Sequence, residues 1–250
     1  MNISINIKSL INLSVVFILF TVIGTVSHEY GHITVAKYLG YETTLHYGSM
    51  NYYPKGYFED EDLEELNLLA KDYPNIEYDS WPDEVKEKAN ELRDSLEKRY
   101  WNEKSNNGLY VILGGPIQTM LTGTIGLLFL LWRKEFISKN GMKLLDWLAV
   151  FLSLFWLREV FNLVTSIGGD LISPDGTWFA GDELYISQGL NVWNGTIPIV
   201  LAIIGLTISF YVIFRIMPHK IRLTFILSGF IGGIAGFIIW MNIIGPKILP

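Results

Sequence analysis

Five consecutive residues, His28-Glu29-Tyr30-Gly31-His32, have the types and spacing of a metal centre that could hydrolyse a bond. Residues four apart on a helix project from one face, so the two imidazoles can bind one metal ion from the same side. Zinc suits paired imidazoles and leaves a position open for water. Glu29 lies beside the first histidine and could take a proton from that water, then pass it to a leaving amine. The motif therefore predicts a Zn²⁺ centre with His28 and His32 as ligands and Glu29 as general base.

The third protein ligand that a catalytic zinc ion usually has is not a histidine in this interpretation. His46 follows the first hydrophobic segment closely, and His219 falls in a basic stretch that we place on the other side of the membrane. Carboxylates in the stretch 168–183 are the alternatives. They are Asp170, Asp175, Asp182 and Glu183.

Asp182 is the first choice among these carboxylates. The residues from Glu183 to Leu190 can form a helix, and a carboxylate at a helix start is electrostatically favoured. A rigid helix would also hold the ligand in place. Asp170 is the second choice, in a glycine- and proline-containing stretch that predicts a loop folding back into the protein. Asp175 and Glu183 remain further alternatives.

Long apolar runs must position these groups, and they predict a chain that crosses a membrane. Half of the 250 residues are hydrophobic, and they come in runs of about 20, the length of a spanning helix. We predict an all-α, polytopic membrane helix bundle with about five spanning helices. The segments are 9–30, 108–132, 143–167, 196–217 and 221–245. Because the first run continues into the histidine motif, one helix over about 9–39, ending at Gly40, is favoured over a signal peptide cleaved after Ser27.

Charge is distributed unevenly along the chain. The net charge is −6, yet residues 55–104 hold 16 Asp or Glu and 8 Lys or Arg. Basic residues instead precede the first span and lie between the second and third and between the fourth and fifth. The positive-inside rule puts those stretches in the cytoplasm, so 41–107 and 168–195 lie outside, on the side of the histidine motif. No basic patch suggests a nucleic-acid partner, and the absence of cysteine excludes disulfides and thiolate ligands.

The acidic insertion divides the chain into three regions: 1–40 with the zinc motif, 41–107, and 108–250 with the remaining spans. Residues 59–72 have acids first and apolar residues at helical spacing, and Trp81-Pro82-Asp83-Glu84 resembles a helix start. The second helix should run to about Lys104, with a stop and turn over 105–108. We therefore predict a small, water-facing helical hairpin, with a lid or substrate filter over the site as the functional alternative.

Three motifs in order resemble the site-2 protease-like intramembrane zinc metallopeptidases. Ser27 to His32, followed by Ala36 and Gly40, looks like the first motif of that family, and Gly114-Gly115-Pro116 looks like its Gly-Pro motif. Residues 158–163, Arg-Glu-Val-Phe-Asn-Leu with an aspartate downstream, look like its third motif. Gln118 departs from the usual asparagine, and the family's Leu-Asp-Gly is missing. Asp170 has the common spacing from Asn162, whereas Asp182 opens a stretch that resembles the helix after the ligand in variant members.

The resemblance implies a zinc metalloendopeptidase that cuts membrane-protein substrates, typically with a single span, inside the lipid bilayer. It gives Asn162 a role in hydrogen bonding near the metal or the substrate backbone. We expect Gly115-Pro116 either to break the second helix and free backbone groups for an extended substrate or to form a tolerated kink. The expected location is a prokaryotic plasma membrane.

Two other functions stay open at this stage. The first is a non-proteolytic membrane zinc protein, and the second is a transporter that uses intramembrane His and carboxylates as an ion path. Inverted repeats would favour the transporter, and we find none. The glycines at 229, 232, 233 and 236 predict close helix contacts within the protein, with a homo-oligomer as the alternative.

Overall fold

The computed structural model describes residues 5–74, 76–101, 107–174 and 176–249. Five helical segments are long and apolar enough to cross a membrane, so the predicted all-α bundle is confirmed. They are Ile7–Tyr38, Asn107–Asn140, Leu144–Ile172, Thr196–Ile216 and His219–Ile248. Each segment covers one of the five predicted spans, apart from one residue at the start of the third and one at the end of the fourth.

The elements follow one another simply along the chain. The helices are α1 (Ile7–Tyr38), α2 (Glu61–Asp72), α3 (Asp83–Tyr100), α4 (Asn107–Asn140), α5 (Leu144–Ser153), α6 (Leu157–Ile172), α7 (Asp182–Gly189), α8 (Thr196–Tyr211), α9 (His219–Ile239) and α10 (Gly245–Ile248). The strands are β1 (Glu42–Leu45) and β2 (Met50–Tyr53). Short 3-10 turns occur at Tyr78–Ser80 and Leu154–Trp156, and π turns at Val212–Ile216 and Trp240–Ile244.

Helix α1 packs between α4 and α9 through small residues. A Cβ atom at Gly31 or at Gly114 would lie closer than 3.0 Å to the backbone carbonyl of the other glycine, so the two helices touch at main-chain level. On α9, Gly232 and Gly236 face the α1 backbone in the same way. The predicted glycine contacts within the protein are therefore present, while Gly233 on the same helix faces open space.

The outer face of α1 carries an apolar stripe at the spacing of one helical turn. Its residues are about half exposed or more, as expected for side chains that face lipid. They are Ile7, Ile11, Val15, Leu19 and Ile23. The protein interior has a separate apolar cluster that includes Leu130, Val150, Val212 and Phe225, all at most 1% exposed. The bundle thus buries one apolar face and leaves another exposed.

The insertion differs from the predicted helical hairpin at its start. Strands β1 and β2 form an antiparallel hairpin, with Glu42 opposite Tyr53 and Leu45 opposite Met50. Helices α2 and α3 follow, as predicted from 59–72 and from Trp81-Pro82. Helix α3 ends at Tyr100, and the predicted end near Lys104 lies outside the described residues. Of the predicted turn over 105–108, the first two residues also lie outside them, whereas Asn107 and Gly108 are the first residues of α4, so the turn is wrong there.

Two predicted interruptions are absent. Helix α6 continues through Gly168 and Gly169 to Ile172, so Asp170 is helical and the predicted loop is wrong at that point. Helix α4 runs unbroken with Pro116 inside it, so of the two alternatives for Gly115-Pro116 the helix break is wrong. In both helices the surrounding bundle overrides local residue preference.

Candidate metal centre

The two histidines of the motif lie on the inner face of α1 and are almost fully buried, at 1% and 7% exposed. Their Nε2 atoms are 3.2 Å apart. Asp182, the first residue of α7, brings Oδ2 to 2.8 Å from His28 Nε2 and 3.2 Å from His32 Nε2. Three donor atoms are thus brought together by one turn of α1 and by the first residue of α7. His28 and Asp182 are 154 positions apart in the chain.

The other ring nitrogens have partners that orient the imidazoles. His28 Nδ1 lies 3.0 Å from Thr119 Oγ1, and His32 Nδ1 lies 2.8 Å from the carbonyl oxygen of Val111. A carbonyl only accepts, so Nδ1 of His32 donates to Val111, and Nε2 is the ring atom that can bind an ion. The Gly115 amide is also 3.2 Å from that Nδ1, but the shorter carbonyl contact decides the tautomer. Such outer partners are typical of metal-bound histidines.

Gly115 has a steric role at this site. A Cβ atom there would lie closer than 3.0 Å to the Nε2 atoms of both His28 and His32. The glycine lets the α4 backbone come directly against the two donor nitrogens. Sequence reasoning connected Gly115 with the active site, and the structure gives it the role of making room for the imidazoles.

This donor set fits a metal ion. Ligand atoms in a tetrahedral zinc site with bonds near 2.0–2.1 Å are about 3.3 Å apart, close to the separations of 2.8–3.2 Å seen here. His28, His32 and Asp182 form a group able to hold an ion. Burial raises the pKa of the Asp182 carboxyl, but hydrogen bonds to His28 and His32 outweigh it, and the pKa lies well below its ordinary value. The carboxylate is therefore ionised, as a ligand must be.

The other candidate carboxylates lie elsewhere or have other contacts. Asp170, on α6, accepts a hydrogen bond of 2.9 Å from the Gly176 amide and is not part of the three-donor group. Glu183 is directed to Asn162, whose Nδ2 donates to its Oε1 over 2.8 Å. Asp175 lies outside the described residues. Of the two aspartates predicted, the structure therefore brings Asp182, and not Asp170, to the histidines.

Glu29 is buried at 6% exposed, and its side chain lines the same cavity as the donor group. The cavity has a volume of about 450 Å³. The hairpin covers part of it through Gly48, Ser49, Met50 and Tyr52. Within the described part of the chain, no hydrogen bond from the protein holds the Glu29 carboxylate, so it is free to accept one from a ligand in the cavity.

Helix α6 contributes Asn162 and Arg158 to the cavity. Asn162 lines the cavity and fastens α6 to the residue that follows Asp182. Arg158, one helical turn earlier, also lines the cavity. Glu159 and Glu183 are both only 1% exposed, and the two oxygens of Glu159 have no hydrogen-bond partner among the described residues.

Thr119 and the Val111 carbonyl were missed by sequence reasoning. Thr119 lies four residues after Gly115, on the same face of α4, so this spacing was the available signal. The Val111 contact depends on how α1 and α4 pack and has no sequence signal.

Comparisons with protein-family models, with curated proteins and with solved structures find no match for this chain.

Proposed function

We propose that this chain is a multi-pass membrane zinc metalloendopeptidase, similar to the site-2 proteases, that hydrolyses peptide bonds of membrane-protein substrates. Single-span proteins are the proposed substrates, and a prokaryotic plasma membrane is the proposed location. One observation carries the proposal. A buried glutamate without a hydrogen bond from the described protein, Glu29, opens into the same cavity as the donor group of His28, His32 and Asp182.

Zinc is the proposed ion because two imidazole nitrogens and one carboxylate oxygen are an established donor set of catalytic zinc sites. When bound, zinc supplies a water of lowered pKa and polarises a carbonyl group. Thr119 and the Val111 carbonyl keep the two rings turned so that both Nε2 atoms face Asp182. Gly115 keeps this side of the centre free of side-chain atoms.

The protein's own acid–base work falls to Glu29. Its carboxylate accepts a proton from water as the water oxygen bonds to the peptide carbonyl carbon. The same proton then passes to the amide nitrogen as the C–N bond breaks, which leaves a carboxylic acid and an amine. The remaining proton of the acid then passes to the amine, so the final products are a carboxylate and an ammonium group. Residues of the hairpin line part of the cavity, and a site from which water is displaced by a bound peptide strengthens electrostatic effects on the reaction.

The test combines metal analysis with cleavage of a panel of single-span substrates in proteoliposomes. Glu29→Gln should keep the same zinc content per folded molecule and lower kcat about 10²–10⁴-fold, because the base is lost and the ligands remain. Glu84→Gln, an exposed change in the first turn of α3, is the matched control and should cleave like the unaltered protein.

Two results would contradict the proposal. Full cleavage by Glu29→Gln would remove Glu29 from the reaction. A protein that binds one zinc ion but cuts no member of the panel would favour the non-proteolytic alternative.

A further inference from the structure

Arg158 is a charged side chain for which the described part of the protein supplies no hydrogen-bond acceptor. It lies on α6 and lines the metal cavity together with Glu29 and Asp182. In the described residues, no hydrogen bond or ion pair holds its guanidinium group, and its Nε atom is buried without a partner. The residue is half-buried, and a buried polar atom without a hydrogen-bond partner is unfavourable, so the position of this Nε requires an explanation.

Three of the other five arginines have hydrogen-bond acceptors in the described residues. Arg133 donates to Asp146 over 2.7 Å, and Arg222 donates to the Met217 carbonyl over 3.0 and 2.9 Å. Arg99 donates to Asp60 and Asp62. Glu159, next to Arg158 in sequence, does not serve as its hydrogen-bond partner, because both of its carboxylate oxygens are themselves without one. Arg158 therefore differs from the other arginines in lining the cavity and in having a buried Nε atom without a hydrogen-bond partner.

The charges around the cavity show which kind of ligand the guanidinium would receive. Of the described residues that line it, Arg158 is the only arginine or lysine, and the carboxylates that line it are Glu29 and Asp182. Its charge acts on His28 and Glu29 without forming an ion pair with either. Among the groups that line the cavity, a divalent cation would balance the two carboxylates, and the guanidinium would add one positive charge. A ligand oxygen atom that gains negative charge would be stabilised by this positive charge.

We propose that Arg158 is a catalytic residue that donates a hydrogen bond to the carbonyl oxygen of the peptide being cut. This inference rests on the proposed protease function. As the water oxygen bonds to the carbonyl carbon, the π electron pair of the C=O bond moves onto its oxygen, beside the guanidinium donors. Glu29 holds the proton in the meantime. When the C–N bond breaks, the pair re-forms the C=O bond and the proton goes to nitrogen. Donors placed where charge develops stabilise the transition state more than the bound substrate.

The experiment compares Arg158→Gln and Arg158→Lys with the unaltered zinc-loaded protein, and with Arg93→Gln on the insertion as control. Arg158→Gln should lower kcat about 10²–10³-fold with little change in KM, as expected for loss of one donor to the developing charge. Arg158→Lys should keep part of that rate. Zinc content should stay constant in all variants.

A binding measurement separates this role from a structural one without relying on turnover. A phosphinic peptide, a tetrahedral analogue with a charged oxygen, should bind Arg158→Gln about 10²–10³-fold more weakly by calorimetry. A peptide substrate bound to the Glu29→Gln background should lose little affinity when Arg158→Gln is added.

The outcomes are distinct. Unchanged kcat and unchanged phosphinic-peptide affinity in Arg158→Gln would overturn the inference and leave the protease function intact. Loss of zinc from Arg158→Gln would make its role structural and would also overturn it. A KM effect confined to peptides with a free C-terminal carboxylate would make Arg158 a terminus-binding residue instead. An unaltered protein that binds zinc, cuts nothing and ignores the phosphinic peptide would overturn both proposals.

Discussion

The acidic insertion and the metal centre treat their charged groups in opposite ways. In the insertion, Asp60 accepts hydrogen bonds from Arg99 and from Tyr100, the latter over 2.8 Å, while Asp62 accepts from Ser95 over 2.7 Å. At the metal centre, Glu29 and Arg158 line a cavity and have no hydrogen-bond partner in the described protein. The carboxylates of the insertion are paired with other protein groups, whereas the two charged groups of the cavity are not.

The paired charges of the insertion stabilise its fold, whereas the unpaired charges of the cavity can interact with a ligand. Exposed ion pairs contribute modestly, and their loss affects mainly the local structure. Polar groups in an apolar bundle are unfavourable unless they gain a partner, so open ones mark a site of function. Changes at the centre should therefore abolish activity with the fold retained, whereas changes in the insertion should act on its own stability.

The largest effect is expected from Gly115→Ala. The added methyl group would overlap both Nε2 atoms, and the contacts of Thr119 and Val111 prevent the rings from turning away. Zinc per folded molecule and cleavage should both fall to background. Gly233→Ala on α9 meets open space and is the matched control. A zinc-loaded, active Gly115→Ala protein would show that the rings do not lie against α4.

A smaller but large effect is expected from Asp182→Asn. The neutral amide is a weaker ligand than the carboxylate, so zinc affinity should fall by at least the 10–100-fold typical of changes near a metal site. Asp170→Asn, on the same predicted side but outside the donor group, should keep full zinc. Metal titration against a chelator of known affinity measures both. The reverse result would assign the ligand to Asp170, as the common family spacing suggests.

The smallest effect is expected from acid acting on the insertion. Hydrogen bonds from Arg99 and Tyr100 hold the pKa of Asp60 below its ordinary value. The resulting stabilisation is present above the unfolded pKa of aspartate, about 3.9, and is lost as pH falls below it towards the folded pKa. Hydrogen exchange of 61–100 should therefore accelerate below about pH 4.

Asp60→Asn should remove this dependence on pH and accelerate exchange at neutral pH too. Asp94→Asn, an exposed change on α3, should behave like the unaltered protein. Zinc affinity at neutral pH should be the same in all three proteins. A loss of zinc from Asp60→Asn would show that the insertion contributes to metal binding, and it would contradict the separate roles given to the two regions.

Sequence patterns were sufficient for the features that repeat along a helix. Long apolar runs indicated the five spans, and the spacing of His28 and His32 put both imidazoles on one helix face. The preference for Asp182 came from its position at a helix start, which is where α7 begins. Each of these is a local property of consecutive residues.

The features that sequence missed depend on contacts between distant segments. Strands of four residues, such as β1 and β2, are too short for a distinct period of alternation. Gly168 and Gly169 favour a turn locally, yet they are helical in α6. Whether Arg158 has a hydrogen-bond acceptor depends on residues that are distant in the sequence, so no spacing rule predicts that its buried Nε lacks one.

The position of the donors has a consequence for folding as well as for chemistry. An ion bound to His28, His32 and Asp182 would be a cross-link between points 154 residues apart. It would join α1 to a segment that follows three of the five spans, so that bundle assembly and metal uptake become one linked equilibrium. At a free ion concentration 100 times Kd, the link would add about 2.7 kcal/mol to the folded state. The ion proposed for the reaction would then also stabilise the packing of the membrane helices against one another.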